Sequence, residues 1–260
     1  MKRIVTALIL APLITYVVIW SPFLAFAAVL GTIAALCYWE YCGIAAGNGI
    51  EIPRWWGMAI GLAVLFAPSE LTFAVLLALG AMIYSLTARD LKDSLPKAAA
   101  FTLGIVYIFG SWHTAVQLRA INSRWLFFAL ALNWIGDTAA MAVGRSFGRH
   151  KLAPRVSPGK SWEGSVASMI ASMIFGILFA KWAFPEAPWW LPTVAALGGN
   201  VAGQVGDLCE SALKRGAGMK DSGTLLPGHG GWLDRVDSSL FSVPVVYGML
   251  RLISFSGITR

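Results

Sequence analysis

"EGSVASMIASMIFGILFAKWAF", residues 163–184, decides the class of fold. Between Glu163 and Lys181 it carries no charge, and its apolar residues do not alternate with polar ones. A run of about 17–22 such residues matches the hydrocarbon core of a bilayer crossed by an α-helix. A membrane β-barrel strand would alternate instead. Outward from this run, similar stretches recur at roughly 124–144 and 97–117, and then at 187–207 and 236–255. The first hundred residues add 4–20, 22–40, 54–69 and 70–88, broken by the proline-marked "WSPF" and "APSE". The reading is an all-α integral membrane protein, a polytopic helical bundle of about nine transmembrane helices.

Composition agrees. Hydrophobic residues make up 57% of the 260 residues and charged ones 13%, with a mean hydropathy of +0.69. A soluble domain carries about 25% charged residues. The segment "AFAA" after the first apolar run resembles a signal-peptide cleavage site. That run is long for a signal and leads into a second, so it is kept as the first span. Cys37, Cys42 and Cys209 form no metal-binding spacing and read as free thiols.

The net charge of +7 does not point to nucleic acid. With nine spans, fifteen of the 20 lysines and arginines fall on the side of the N-terminus and five on the other. That asymmetry is the positive-inside signal. It puts the N-terminus in the cytoplasm, together with two polar loops at 145–162 and 208–235. The chain divides into N-terminal apolar spans, 1–100, for packing and oligomerisation, and a catalytic membrane domain, 101–260. Gly57 and Gly61 in "GMAIG" fit a small-xxx-small helix-packing pattern.

Acids gather near those loops: Asp137, Glu163, Asp207, Glu210, Asp221, Asp234 and Asp237. A carboxylate at the end of an apolar run is costly unless it is paired or holds a cation. Asp207 and Glu210, three apart, share a helix face with Ser211 and Lys214 near it. Asp234 and Asp237 have the same spacing at the start of the last span. Between them, "KRGAGMKDSGTLLPGHGG" supplies glycines for tight turns and close backbone approach to an anion. Lys214, Arg215, Lys220 and Arg235 are placed to hold phosphates. Oxygen ligands without cysteine favour Mg²⁺ over zinc. The other loop, "GDTAAMAVGRSFGRHKLAPRVSPGKSWEGS", residues 136–165, repeats the mixture. Its "GKS" imitates a P-loop, but Pro154 stands where that motif needs glycine, and no strand is expected before it. Carboxylates, cations and glycines at one membrane face suit a reaction between a soluble nucleotide and a lipid headgroup.

"SALKRGAGMKDSGTLLPGHGGWLDRVD", Ser211 to Asp237, resembles the signature of phosphatidate cytidylyltransferases (CDP-diacylglycerol synthases). The family pattern runs S-x-x-K-R, four residues, K-D, then P-G-H-G-G-x-x-D-R-x-D. Every fixed position is present, with Trp232 where the family usually has an aliphatic residue or Phe. Residues 136–165 resemble the family's second block, with Met141 where Tyr is common. The likeness covers roughly 100–255, while the first hundred residues match only as apolar spans.

The resemblance implies that CTP and phosphatidate give CDP-diacylglycerol and pyrophosphate, in phospholipid biosynthesis. It implies a multi-pass protein of the cell inner membrane, with the active site facing the cytoplasm. It implies Mg²⁺, with a second, monovalent cation such as K⁺, and a homodimer. Asp207 and Asp234 become the central cation ligands, with Asp137, Asp221 and Asp237 as further ligands or orienting groups. Lys214, Arg215, Lys220 and Arg235 hold phosphates. Lys151, Ser157 and Lys160 contact the triphosphate, with Glu163 and Ser211 lining the substrate site. His229 is either a phosphate donor or a turn residue. Two alternatives stand beside this: a cytidylyltransferase for an ether lipid or polyprenyl phosphate, and an ion-coupled transporter. A transporter would spread its acids through the spans; here they cluster.

Overall fold

The computed structural model describes residues 12–67, 70–225 and 230–255, with backbone alone at 70–73 and 254–255. Helix α1, Phe23–Gly47, and helix α2, Arg54–Leu65, start directly after Pro22 and Pro53. A missing N–H costs nothing at a helix start. Helix α3, Glu70–Ser85, is followed by a tight turn, Leu91–Asp93, capped by Asp90. Helix α4, Ser94–Ile105, a wide π turn, Val106–Gly110, and helix α5, Ser111–Ile121, continue from it as one apolar stretch. Helix α6, Ser123–Phe147, is capped by the Asn122 side chain. A hairpin of β1, Lys151–Ala153, and β2, Ser157–Ser161, leads into helix α7, Trp162–Ala183. There Gly164 N donates to Ser161 Oγ at 3.2 Å, filling the N-cap. Helices α8, Trp190–Gly216, α9, Leu233–Val236, and α10, Ser239–Phe255, complete the chain.

The fold is an all-α membrane protein, with differences from the expected layout. Among the described residues, 5 helical stretches are long and apolar enough to cross a membrane: Phe23–Gly47, Leu91–Ile121, Ser123–Phe147, Trp162–Ala183 and Leu233–Ile253. Arg54–Leu65 and Ala74–Ser85 are apolar but shorter. Helix α8, at 27 residues, has the length but is interrupted by Asn200, Gln204, Asp207 and Glu210. Of the expected first span, residues 1–11 lie outside the described residues, and 12–19 are helical. The expected loop 145–162 contains the antiparallel hairpin, in which Lys151 faces Ser161 and Ala153 faces Ser157. The expected loop 208–235 starts later, because α8 runs to Gly216.

The chain forms two compact units. The first comprises Met1–Val17, Ser21–Val116 and Leu213–Val236, and the second Val18–Trp20, Gln117–Ala212 and Asp237–Arg260. In the first, α1 packs on α2 and on the π turn. Tyr38 and Phe109, both fully buried, lie with ring centroids 5.6 Å apart. Gly57 is pressed against Tyr38 and Gly61 against Phe109. The small residues of "GMAIG" therefore seat aromatic rings; a Cβ at either would overlap one.

In the second unit, α6 packs along α7, and α10 along α6. A polar ladder lies within it. Asn200 Nδ2 donates to Ser168 Oγ and Ser172 Oγ, both at 2.9 Å. Ser172 Oγ donates to Leu132 O at 2.9 Å. Gln204 Nε2 donates to Asn200 Oδ1 at 2.7 Å, and Ser165 Oγ to Gln204 Oε1 at 2.5 Å. Residues spaced by three and four share a helix face, so these serines meet Asn200 and Gln204. Inside a membrane such bonds hold helices that hydrophobicity alone cannot pair. One turn beyond Gln204 on α8 stands Asp207.

Candidate active site

The second unit gathers three of the expected residues. Lys160 Nζ lies 2.7 Å from Asp207 Oδ2. Ser211 Oγ, one turn along α8, donates to Asp207 Oδ1 at 3.3 Å. The hairpin carries Lys160 because β2 runs straight into α7. "GKS" thus sits on a strand paired with a short strand before it, correcting the expectation that none precedes. Ser161 caps a helix. Glu163 is taken up locally: His150 Nδ1 meets its Oε1 at 2.7 Å, and His150 N donates to both oxygens at 3.2 and 3.3 Å. It clamps the start of the hairpin to the first turn of α7. Lys151 and Asp137 are exposed, and Ser157 opens β2.

The first unit holds the other cluster. Lys214 Nζ lies 2.5 Å from Asp234 Oδ1, with side chains only 8% and 7% exposed. Ser222 N donates to Asp234 Oδ2 at 2.9 Å and Oδ1 at 3.1 Å, and Gly231 N to Oδ2 at 2.8 Å. Gly230 takes φ of 79°, the left-handed region glycine favours, where the chain turns toward Asp234. Arg215 Nη1 donates to Met219 O at 2.8 Å, closing the end of α8. Lys220 and Asp221 are exposed on the loop, and Arg235 is exposed on α9. His229 lies outside the described residues. Asp234 and Asp237 do not share one helix, since α9 ends at Val236 and α10 begins at Ser239. Asp237 Oδ1 accepts from Ser238 N at 2.7 Å in the break.

One residue escaped the sequence reading. Glu40, in α1 and 4% exposed, accepts from Trp232 N at 3.0 Å, Leu233 N at 2.8 Å and Ser222 Oγ at 2.9 Å. A Cβ on Gly223 would lie 2.7 Å from Glu40 Oε1, and one on Gly231 would overlap Oε2. These two glycines make room for a carboxylate of the protein itself, where an approaching substrate anion was the expectation. The signal was available: an acid inside an apolar run is costly wherever it occurs.

Among the described residues, no three His, Cys, Asp or Glu side chains gather around one point as a metal cage. The donors nevertheless suit a hard cation. Asp207 spends one oxygen on Lys160 and the other on a long hydroxyl bond, which leaves lone pairs open. A cation at Asp234 would compete with Lys214 for Oδ1.

The sequence profile of a family described as the cytidylyltransferase family matches residues 1–253. The chain belongs to the cytidylyltransferase family. The match includes the first hundred residues, beyond the reach of the quoted motifs. It is similar to the phosphatidate cytidylyltransferase of Bacillus subtilis strain 168, 31% identical over 97% of this chain and 98% of that protein. It is similar to the phosphatidate cytidylyltransferase of Brucella suis biovar 1, 32% identical over 94% of this chain and 91% of that protein. That of Staphylococcus saprophyticus is 33% identical over 72% of this chain and 75% of its own length. Of the two lysine–aspartate pairs, Lys214–Asp234 falls inside the block Ser211 to Asp237, and Lys160 falls inside 136–165 while its partner Asp207 stands one turn before Ser211.

Proposed function

We propose that this protein transfers the cytidylyl group of CTP to phosphatidate, giving CDP-diacylglycerol and pyrophosphate for phospholipid biosynthesis. The observation that carries the reading is the likeness, over nearly the whole chain, to proteins named phosphatidate cytidylyltransferase. A phosphate oxygen of phosphatidate attacks the α-phosphorus of CTP. The bond from that phosphorus to the bridging oxygen breaks, and pyrophosphate leaves with the electron pair. The nucleophile is already an anion, so no general base is needed. The obstacle is bringing two anions together.

Lys160 and Lys214 meet that obstacle, each resting on an aspartate until a phosphate arrives. Lys151, Arg215, Lys220 and Arg235 add positive charge, and Ser157 and Ser211 add hydroxyl donors. Asp207 and Asp137 in the second unit, and Asp234 in the first, would offer carboxylate oxygens to Mg²⁺ and to a monovalent cation such as K⁺. When bound, these cations neutralise charge on the phosphates and align them. Asp221 and Asp237 orient the basic groups.

The chain works in the cell inner membrane with about nine crossings, a cytoplasmic N-terminus and a site open to the cytoplasm, where CTP is. It assembles as a homodimer. The test is product formation by purified protein in mixed micelles with phosphatidate, CTP and Mg²⁺, each omitted in turn. CDP-diacylglycerol requiring all three is expected. Turnover only with an ether-lipid or polyprenyl phosphate would keep the chemistry and change the acceptor. No turnover with any lipid phosphate by folded protein would sink the proposal.

A further inference from the structure

Glu40 is a buried carboxylate that the proposed chemistry leaves unused. It sits in "CYWEYC", residues 37–42, with apolar or aromatic neighbours on both sides. Its Oε1 accepts from Trp232 N, and its Oε2 from Leu233 N and Ser222 Oγ. All three donors belong to the polar loop that carries Asp221, Asp234 and Arg235, and they stand 182 to 193 positions away in the chain. Ser222 couples this carboxylate to that of Asp234. Its hydroxyl donates to Glu40 and accepts from Asp234 N at 3.3 Å, while its amide donates to Asp234.

A loop this rich in glycine has much backbone freedom to lose on ordering. A buried acid must in turn find donors. Each requirement answers the other here. The space follows the same plan, because Gly223 and Gly231 lie so close to the carboxylate that no side chain fits.

We infer that Glu40 is a positioning residue for cytidylyl transfer. It fixes the amides of Trp232 and Leu233 and the hydroxyl of Ser222 and, through Ser222, sets the placement of Asp234 and Lys214. It touches no reacting atom, and the inference rests on the activity proposed above.

The test compares wild type, Glu40→Gln, Glu40→Ala and Ser222→Ala as full-length protein in micelles. It reads kcat and KM for CTP per monodisperse protein, and hydrogen exchange of the 217–236 amides. One lost buried hydrogen bond corresponds to roughly a tenfold change in rate. Glu40→Gln keeps one acceptor oxygen and should lose roughly tenfold in kcat, as should Ser222→Ala. Glu40→Ala should lose on the order of 100-fold, so Gln partly rescues Ala. KM for CTP should move less than kcat. Exchange should quicken at 217–236 and stay unchanged in α6 and α7.

Full kcat per folded molecule in Glu40→Gln and Ser222→Ala would overturn the inference. So would faster exchange spread evenly over the protein, the mark of a general loss of stability. If Glu40→Ala does not fold, the other two variants decide. If wild type makes no CDP-diacylglycerol, the functional reading fails by itself, and the exchange measurement still decides whether Glu40 holds the loop.

Discussion

Lys160 Nζ and Asp207 Oδ2 lie 2.7 Å apart with their side chains 26% and 31% exposed, a pair formed between the strand entering α7 and the middle of α8. A pair this open to solvent contributes about 0–1 kcal/mol to stability. In the proposed reaction the pair keeps a cation and a carboxylate side by side until an anionic substrate separates them.

Asp207→Asn and Lys160→Ala should therefore leave the thermal midpoint almost unmoved and lower CDP-diacylglycerol formation by about 10²-fold or more, the scale for losing a group that stabilises developing charge. Turnover measured beside thermal unfolding checks this. Normal turnover in Asp207→Asn would remove that carboxylate from the chemistry.

The Lys214–Asp234 pair behaves differently because it is almost wholly buried. Removing one partner strands the other charge, at a cost of about 3–5 kcal/mol. Asp234→Asn should lose both activity and stability. The double variant Lys214→Met with Asp234→Leu should be more stable than Asp234→Leu alone, and still inactive. Thermal unfolding of the set decides, and additive losses would refute the pairing.

Gly223→Ala and Gly231→Ala should both destabilise the loop and cut turnover, because their added methyl meets Glu40. Gly43 and Gly80 have open space around the same position. Their alanine variants should be neutral or up to about 1 kcal/mol more stable, since glycine is a poor helix former. Comparing turnover and unfolding of the four proteins tests whether crowding or backbone freedom governs each site.

Orientation can be read with an impermeant maleimide after replacing the exposed Cys209. Arg155→Cys and Lys220→Cys should react in inside-out vesicles and stay protected in right-side-out ones. Glu186→Cys should do the reverse. Reaction of Arg155→Cys and Lys220→Cys from opposite sides would break the proposed topology.

The apolar runs were legible because length and lack of charge are local properties. The run 163–184 became α7, and 124–144 became α6, with few residues' difference. The spans at 54–69 and 187–207 were less legible. The first is a helix of 12 residues, and the second is too polar, because Asn200 and Gln204 serve a ladder whose other members lie on α6 and α7. The hairpin at 151–161 is short and rich in proline and glycine, so no strand periodicity showed. The expected roles of Lys160, Asp207, Lys214 and Asp234 came from charge concentration and a signature, but their pairings came from the fold. Glu40 stayed hidden because its partners are so far along the chain. Only the cost of an acid in an apolar run announced it.

The separation of 182 positions between Glu40 and Ser222 also sets a clock. At about 5–20 residues per second of synthesis, roughly 10–40 s pass before the hydroxyl partner of Glu40 exists, and the amides of Trp232 and Leu233 come later still. Until then α1 waits in the bilayer with an unanswered acid. The first unit is thus completed by a segment made long after α1. A chain that stops before residue 222 has the grease to insert but not the groups to finish its own interior, and it carries in Glu40 a chemical mark of being incomplete.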